Sequence, residues 1–537
     1  MFNKAFLGVL FIYLCSCSNQ KKNYIQTTKV LIIQPIVLQS DEGTEPASIK
    51  IPEAIVDKAF QKADIDFHFL EPIYYNNTRA RDGKINLDEI LEAAQIKGLI
   101  KGQNDLVNMF FVNAVDGQKG PLGRGMMNGN IVFIALGQKE KQTNEQIINM
   151  QAFVIAHEVG HNLGLRHALN DPYVSDSLPN IQGNGAFKDR VNPKFSLNNY
   201  QIKEINKSNL VHSRIEFLDK KKASIAILDE TYEPYFSKLQ AREIEAFVQE
   251  KSPKNIDSAR AFAREKFSSA VIEFNSKEKQ IISYVVNKLN LWLLDNNLNL
   301  MGSQPWRFIK IEDWLCGGFA HTRGTFIILS QSYLNRLTKD WSEAMKPESE
   351  ARLMTALGGL LVHEQMHSLQ RTFKSRFDNL YINYWNFIPA LVQEEMEINK
   401  HQVSNPDAPL AEWIISDPQD SSSFFWVRTL LKKGVEIPVM GKDFIDAVFK
   451  IKKTEDIYKV VKTKDGDLLQ MSLSEISFYQ KSFPIKRGLD HPNELSAYMF
   501  SDYFKASYNS KIPFQMVSKE AQKNTDLFVD WVKKKFQ

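Results

Sequence analysis

Residues 157 to 167 read His-Glu-Val-Gly-His-Asn-Leu-Gly-Leu-Arg-His. On a helix, His157 and His161 lie one turn apart on the same face, so their imidazoles converge on one ion while Glu158 points beside it. Gly164 lets the chain turn sharply, and His167 returns from beyond that turn as a third nitrogen. Three neutral imidazoles fill three tetrahedral positions of Zn2+ and leave the fourth to a water that Glu158 deprotonates. An open position marks a catalytic rather than a structural site.

Working outward, the segment before this motif alternates strands and helices. Residues 30–38 read as a strand, and a helix follows, opened by Pro52 with Ile55, Ala59, Phe60 and Ala63 on one face. Strands are expected near 67–70, 106–112 and 131–136, a helix near 87–96, and a long helix over about 144–163 carries the motif. Asp82-Gly83-Lys84-Ile85 with Glu89 resembles a calcium loop, but its first and third ligand positions would be Thr78 and Ala80, so that motif fails. The charged run at 219–222 is the expected domain boundary.

The pattern HExxHxxGxxH resembles that of the metzincins, a clan of zinc peptidases. The resemblance covers about residues 29–210 and implies a twisted sheet above an active-site helix. His157, His161 and His167 correspond to the clan's zinc ligands and Glu158 to its general base. Residues 129–136 would be the edge strand that pairs with an extended peptide substrate. The sequence departs from the clan in lacking the Met of a tight turn under the zinc. No Met occurs between His167 and Met301, and the stretch Leu178-Pro179-Asn180-Ile181 with Gly183 offers Ile181 as the hydrophobic floor.

A second short motif, His363-Glu364-Gln365-Met366-His367, lies within an apolar-faced helix expected near 350–373. No Gly turn and no nearby third His follow it, so this half resembles the gluzincins, whose third ligand is a Glu from a later helix. Glu364 is then the base, and Glu494 is preferred as the ligand over the acidic cluster Glu394, Glu395 and Glu397. His491 and Tyr498 are candidates for transition-state or supporting roles, with ordinary packing as the alternative. Residues 321–329 hold either this domain's substrate edge strand or an interior one. Beyond about residue 373 the pattern reads as mostly helical.

The expected fold class is therefore α+β, with two zincin-like domains, each a mixed sheet over an HExxH helix, the C-terminal one largely helical. At 537 residues the chain exceeds what one core supports. Its net charge of +4 is spread along the chain and gives no electrostatic footprint for nucleic acid. Three cysteines exclude a disulfide scaffold or a multi-Cys zinc site. Lys4 and the apolar run 5–14, ending Leu14-Cys15-Ser16-Cys17, resemble a bacterial lipoprotein signal with Cys17 as the acylated residue. The expected layout is a signal peptide at 1–16, a tether at 17–28, a metzincin-like domain at 29–218 and a gluzincin-like domain at 223–537. The expected function is zinc-dependent peptide-bond hydrolysis by an envelope protein with two zinc ions and two active sites. The alternatives are one catalytic domain beside a non-catalytic partner- or peptide-binding domain, or hydrolysis of a cell-wall amide. Substrate identity and oligomeric state are not legible in the residues.

Overall fold

The computed structural model describes residues 27–102, 105–115, 117, 121–135, 143–173, 180–183, 196–339, 341–342, 345–509 and 518–537. The signal-peptide and Cys17 readings, most of the tether, and Leu178 and Pro179 of the expected turn lie outside these. Among the described residues no helix is long and apolar enough to cross a membrane.

The first sheet comprises β1 (Lys29–Gln39), β2 (Ile65–Phe69), β3 (Ile73–Asn76), β4 (Val107–Val112), β5 (Gly123–Gly125), β6 (Ile131–Ala135) and β7 (Val211–Ser213). Its main path runs β2-β1-β4-β6-β5, with β3 and β7 also paired to β1. Successive residues of one strand feed opposite cores. Leu31, Ile33 and Val37 face the motif helix, whereas Ile36 and Leu38 face the helix Leu87–Ile96. Burial on both faces explains why β1, β4 and β6 read as continuous apolar runs. The edge strand is β5, not the expected 129–136: β6 lies inside, between β4 and β5. Gly123-Arg124-Gly125 carries no apolar pattern, and its role emerges only from pairing antiparallel to β6.

The second sheet contains β8 (Ile215–Phe217), β9 (Val271–Ile272), β10 (Trp306–Ile311), β11 (His321–Arg323) and β12 (Phe326–Ser330), in the order β11-β12-β10-β8 with β9 beside β10. The arrangement of β4, β5 and β6 recurs here. β10 and β12 are parallel neighbours, β11 is an antiparallel edge strand, and the second motif helix Gly359–Thr372 follows. A π-helical turn, Met354–Gly358, joins that helix to Pro347–Leu353. The chain passes from one sheet to the other across a single residue, Arg214, since β7 pairs with β1 and β8 with β10.

The expectation of a largely helical C-terminal part is corrected by a third, antiparallel sheet. It holds β13 (Ile388–Pro389), β14 (Trp413–Asp417), β15 (Asp420–Leu431), β16 (Phe444–Thr454), β17 (Ile457–Val460) and β18 (Gln470–Ser472). The middle stretches of its inner strands are apolar on both faces. Phe425, Val427 and Val448 join the large C-terminal core, while Trp426, Ala447, Phe449 and Ile451 form a separate cluster behind it. Two-sided burial erases the alternation that marks a strand in sequence.

Candidate metal centres

The first motif helix, Asn144–Asn162, opens on a capping box, Thr143 with Gln146. Gly164, at φ 88°, adopts the left-handed conformation just past its end, and Leu165 N–H donates to the carbonyl of Gly160 at 2.9 Å. This turn brings His167 back. His167 Nε2 lies 3.2 Å from His157 Nε2 and 3.1 Å from His161 Nε2. The Nδ1 atoms face elsewhere: His157 Nδ1 donates to the carbonyl of Ile181 and His161 Nδ1 to that of Leu165, both at 2.7 Å. A carbonyl only accepts, so each Nδ1 keeps the proton and each Nε2 turns a lone pair inward. Lone pairs at such separations repel unless a cation lies among them, so the donor set fits zinc. Burial lowers His157 to about 4, which keeps its imidazole neutral and ligand-competent.

Ile181 is fully buried below the histidines, in a turn closed by Gly183 N–H on the carbonyl of Asn180. Glu158 is buried, and its Oε2 accepts from Gly125 N–H at 2.6 Å. Burial raises its carboxyl to about 7, opposed by the Gly125 amide and by Arg124. That value suits a proton acceptor near neutral pH. The two glycines of β5 are required here. A Cβ on Gly125 would lie 2.1 Å from the backbone oxygen of Glu158, and one on Gly123 would lie 2.6 Å from its Cγ. Beside the histidines lies a cavity of about 350 Å3 lined by Gly125, Met127, His161, Arg166, His167 and Asn170. A larger one of about 800 Å3 shares Met127, Arg166 and Asn170 with it.

The second motif helix brings His363 Nε2 and His367 Nε2 to 3.2 Å. Glu494, in the first turn of the helix Pro492–Tyr508, approaches them at 3.5 and 3.7 Å. Burial raises Glu494, but the two imidazoles and the Asn405 amide outweigh it and hold the carboxyl well below its usual range. Glu394, Glu395 and Glu397 engage Asn399, Lys462 and Lys433 instead. His491 caps the Glu494 helix: its Nδ1 accepts from Asn493 N–H and its Nε2 donates to the carbonyl of Leu410. Tyr498 packs its ring on His363, with centroids 4.4 Å apart.

Sequence reasoning missed Gln370. Its Oε1 accepts from His367 Nδ1 at 2.8 Å, while its Nε2 donates to the carbonyl of Asn493 and to Ser496 Oγ, also at 2.8 Å. The i, i+3 spacing from His367 was a usable signal for it. Glu364 is buried beside Thr322, whose Oγ1 donates to Glu364 Oε2 at 3.0 Å. Burial, then Asp407 and Glu494, push its carboxyl well above the usual range.

With both centres defined, residues 49–168 match the model of the metallo-peptidase family M12B, reprolysin-like, a span that holds His157, Glu158, His161 and His167. The chain is a zinc metallopeptidase, with that domain in its N-terminal half. Among solved structures the peptidase is similar to archaemetzincin from Methanopyrus kandleri, at 13% identity and TM-score 0.24, over 34% of this chain and 95% of that one. It is also similar to archaemetzincin from Archaeoglobus fulgidus, at 14% identity and TM-score 0.21, over 33% and 99%. No curated protein sequence matches it.

Proposed function

We propose that this peptidase is an endopeptidase with one working centre, in which His157, His161 and His167 hold zinc and Glu158 is the general base. The observation that carries the reading is the convergence of three Nε2 atoms, two with their tautomers fixed by backbone carbonyls, beside an edge strand and an open cavity. Zinc, when bound, supplies Lewis acidity. Glu158 takes the proton of the attacking water on its carboxylate, and the Gly125 amide holds that carboxylate in place. β5 offers its outer edge to an extended peptide, which it binds as an added strand.

The second centre holds a second zinc on His363, His367 and Glu494, and it is not a second active site. In support, all three candidate ligands His363, His367 and Glu494 are buried, whereas of the first centre's histidines His157 is half-buried and His167 exposed. The reading of Glu364 as a second catalytic base therefore has less support than that of a non-catalytic C-terminal domain. We further propose that Cys17 carries a lipid anchor that holds the peptidase in a bacterial cell envelope, at the outer membrane. The pattern at residues 14–17 supports this.

Glu158→Gln tests the main reading. It is expected to keep zinc at the first centre and to lower kcat/KM on a peptide library by at least ~1,000-fold. Hydrolysis that persists at the wild-type rate overturns it.

A further inference from the structure

The two centres differ in what stands before the base. In the first, the edge-strand amide Gly125 N–H meets Glu158 itself, and the approach is a cavity. In the second, the edge-strand amide Thr322 N–H donates to Asp407 Oδ1 at 2.6 Å. Asp407 is 6% exposed, and its carboxylate, that of Glu364 and a ring nitrogen of His367 all lie within 4.8 Å of one another. It therefore stands beside the base and one of the candidate ligands, on the side where a catalytic zinc site would need room for water.

The segment bearing Asp407 is fastened at every residue from 404 to 407. Ser404 N–H donates to buried Glu243 at 2.6 Å, and Asn405 Nδ2 donates to Glu494 Oε1 at 2.7 Å. The carbonyl of Pro406 accepts from Arg371 Nη2 at 2.8 Å, and Asp407 N–H donates to Asn405 Oδ1 at 2.9 Å. Asp407 and Glu494 thus place two buried carboxylates around His367, and Glu494 also approaches His363, an arrangement that a cation among them would relieve. Two imidazoles with two carboxylates are a complete zinc donor set.

We infer that Asp407 is the fourth zinc-binding side chain of the second centre, which makes it a closed site from which the chain's own 404–407 segment excludes peptide. The inference rests on the reading that His363, His367 and Glu494 hold zinc, and it adds what fills the remaining position.

The test uses the full chain with the first centre emptied by His157→Ala and His161→Ala, loaded with cobalt(II) and probed with acetohydroxamate. One cobalt per chain is expected, with a visible spectrum that millimolar acetohydroxamate leaves unchanged. Asp407→Asn keeps an acceptor for Thr322 N–H but is a poor ligand. It is expected to change the cobalt spectrum, raise the cobalt Kd at least about tenfold and let acetohydroxamate shift the bands. An acetohydroxamate shift in the parent overturns the inference without any Asp407 variant. So does a spectrum and affinity in Asp407→Asn equal to the parent's, since a side chain that only capped β11 would leave the cobalt unmoved. Absence of bound cobalt overturns the zinc reading of the second centre, and the inference with it.

Discussion

The histidines proposed to hold zinc are only as well placed as the residues that position them. At the first centre the closest tolerance belongs to Gly125, because helix and edge strand meet there backbone to backbone. Gly125→Ala would drive a methyl group to 2.1 Å from the carbonyl oxygen of Glu158, so β5 must move off the helix. That shift breaks the Gly125–Glu158 hydrogen bond and displaces the base and the edge strand together. Since about 1 Å of misplacement is enough for a loss on the order of 100-fold, kcat/KM on a fluorogenic peptide should fall by that order. Zinc content should stay the same, because the atoms nearest the new methyl belong to Glu158 and not to a histidine. A variant with wild-type kcat/KM would show that β5 does not position the base. His157, Glu158 and His161 were legible in sequence because helical spacing alone aligns them, and His167 because Gly164 marks the turn that returns it. Gly125 was not, because its role depends on a strand pairing that brings residues 33 positions apart into contact.

At the scale of elements, the second motif helix and the helix Pro492–Tyr508 are joined by one side chain. Gln370 fixes the His367 tautomer with its oxygen and takes up two acceptors of the other helix, at Asn493 and Ser496, with its nitrogen. Gln370→Leu removes all three bonds and leaves His367 Nδ1 buried without an acceptor, at a cost of about 1–3 kcal/mol per orphaned group. Thermal stability should fall, and zinc affinity at the second centre should drop ~10–100-fold, read by competition with a chromogenic chelator in the His157→Ala, His161→Ala background. Gln370→Glu retains the oxygen that accepts from His367 and should recover most of the affinity but not the stability. Equal affinity in Gln370→Leu and wild type would rule out the orienting role. The third sheet shows the opposite limit of sequence reading. Phe425 and Trp426 are neighbours in the chain yet enter different cores, so β15 presents no polar face by which to recognise it.

On the scale of the whole molecule, the two halves are locked along polar contacts, most of them buried or half-buried, rather than joined by a free linker. Arg214 spans the passage, donating to the carbonyls of Thr27 and Gly302 and to Asp66 Oδ2. Arg307 of β10 donates to Asp105 of the first half and to Glu216. The turn between β2 and β3 reaches furthest. Glu71 accepts from Ser375 N–H in the first turn of the helix Lys374–Asn383. His68 Nε2 donates to Gln304 Oε1 at 2.7 Å, and Gln304 Nε2 donates on to Ser368, the residue after His367. No local pattern reveals such contacts, since His68 and Gln304 are 236 positions apart. They do make the interface sensitive to acid. Burial is the main cause that lowers His68 to about 4, against about 6.5 in an unfolded chain. Between those values the unfolded chain binds a proton that the folded one does not, so stability is complete above about pH 6.5 and declines as the pH falls towards 4. At pH 5 the loss attributable to His68 is roughly 2 kcal/mol. In urea titrations followed by Trp fluorescence, lowering the pH from 7.5 to 5 should therefore reduce the midpoint of the wild type more than that of His68→Gln, which cannot titrate. Equal reductions in the two proteins would mean that His68 takes up a proton in place and that the joint between the halves does not depend on its neutral form.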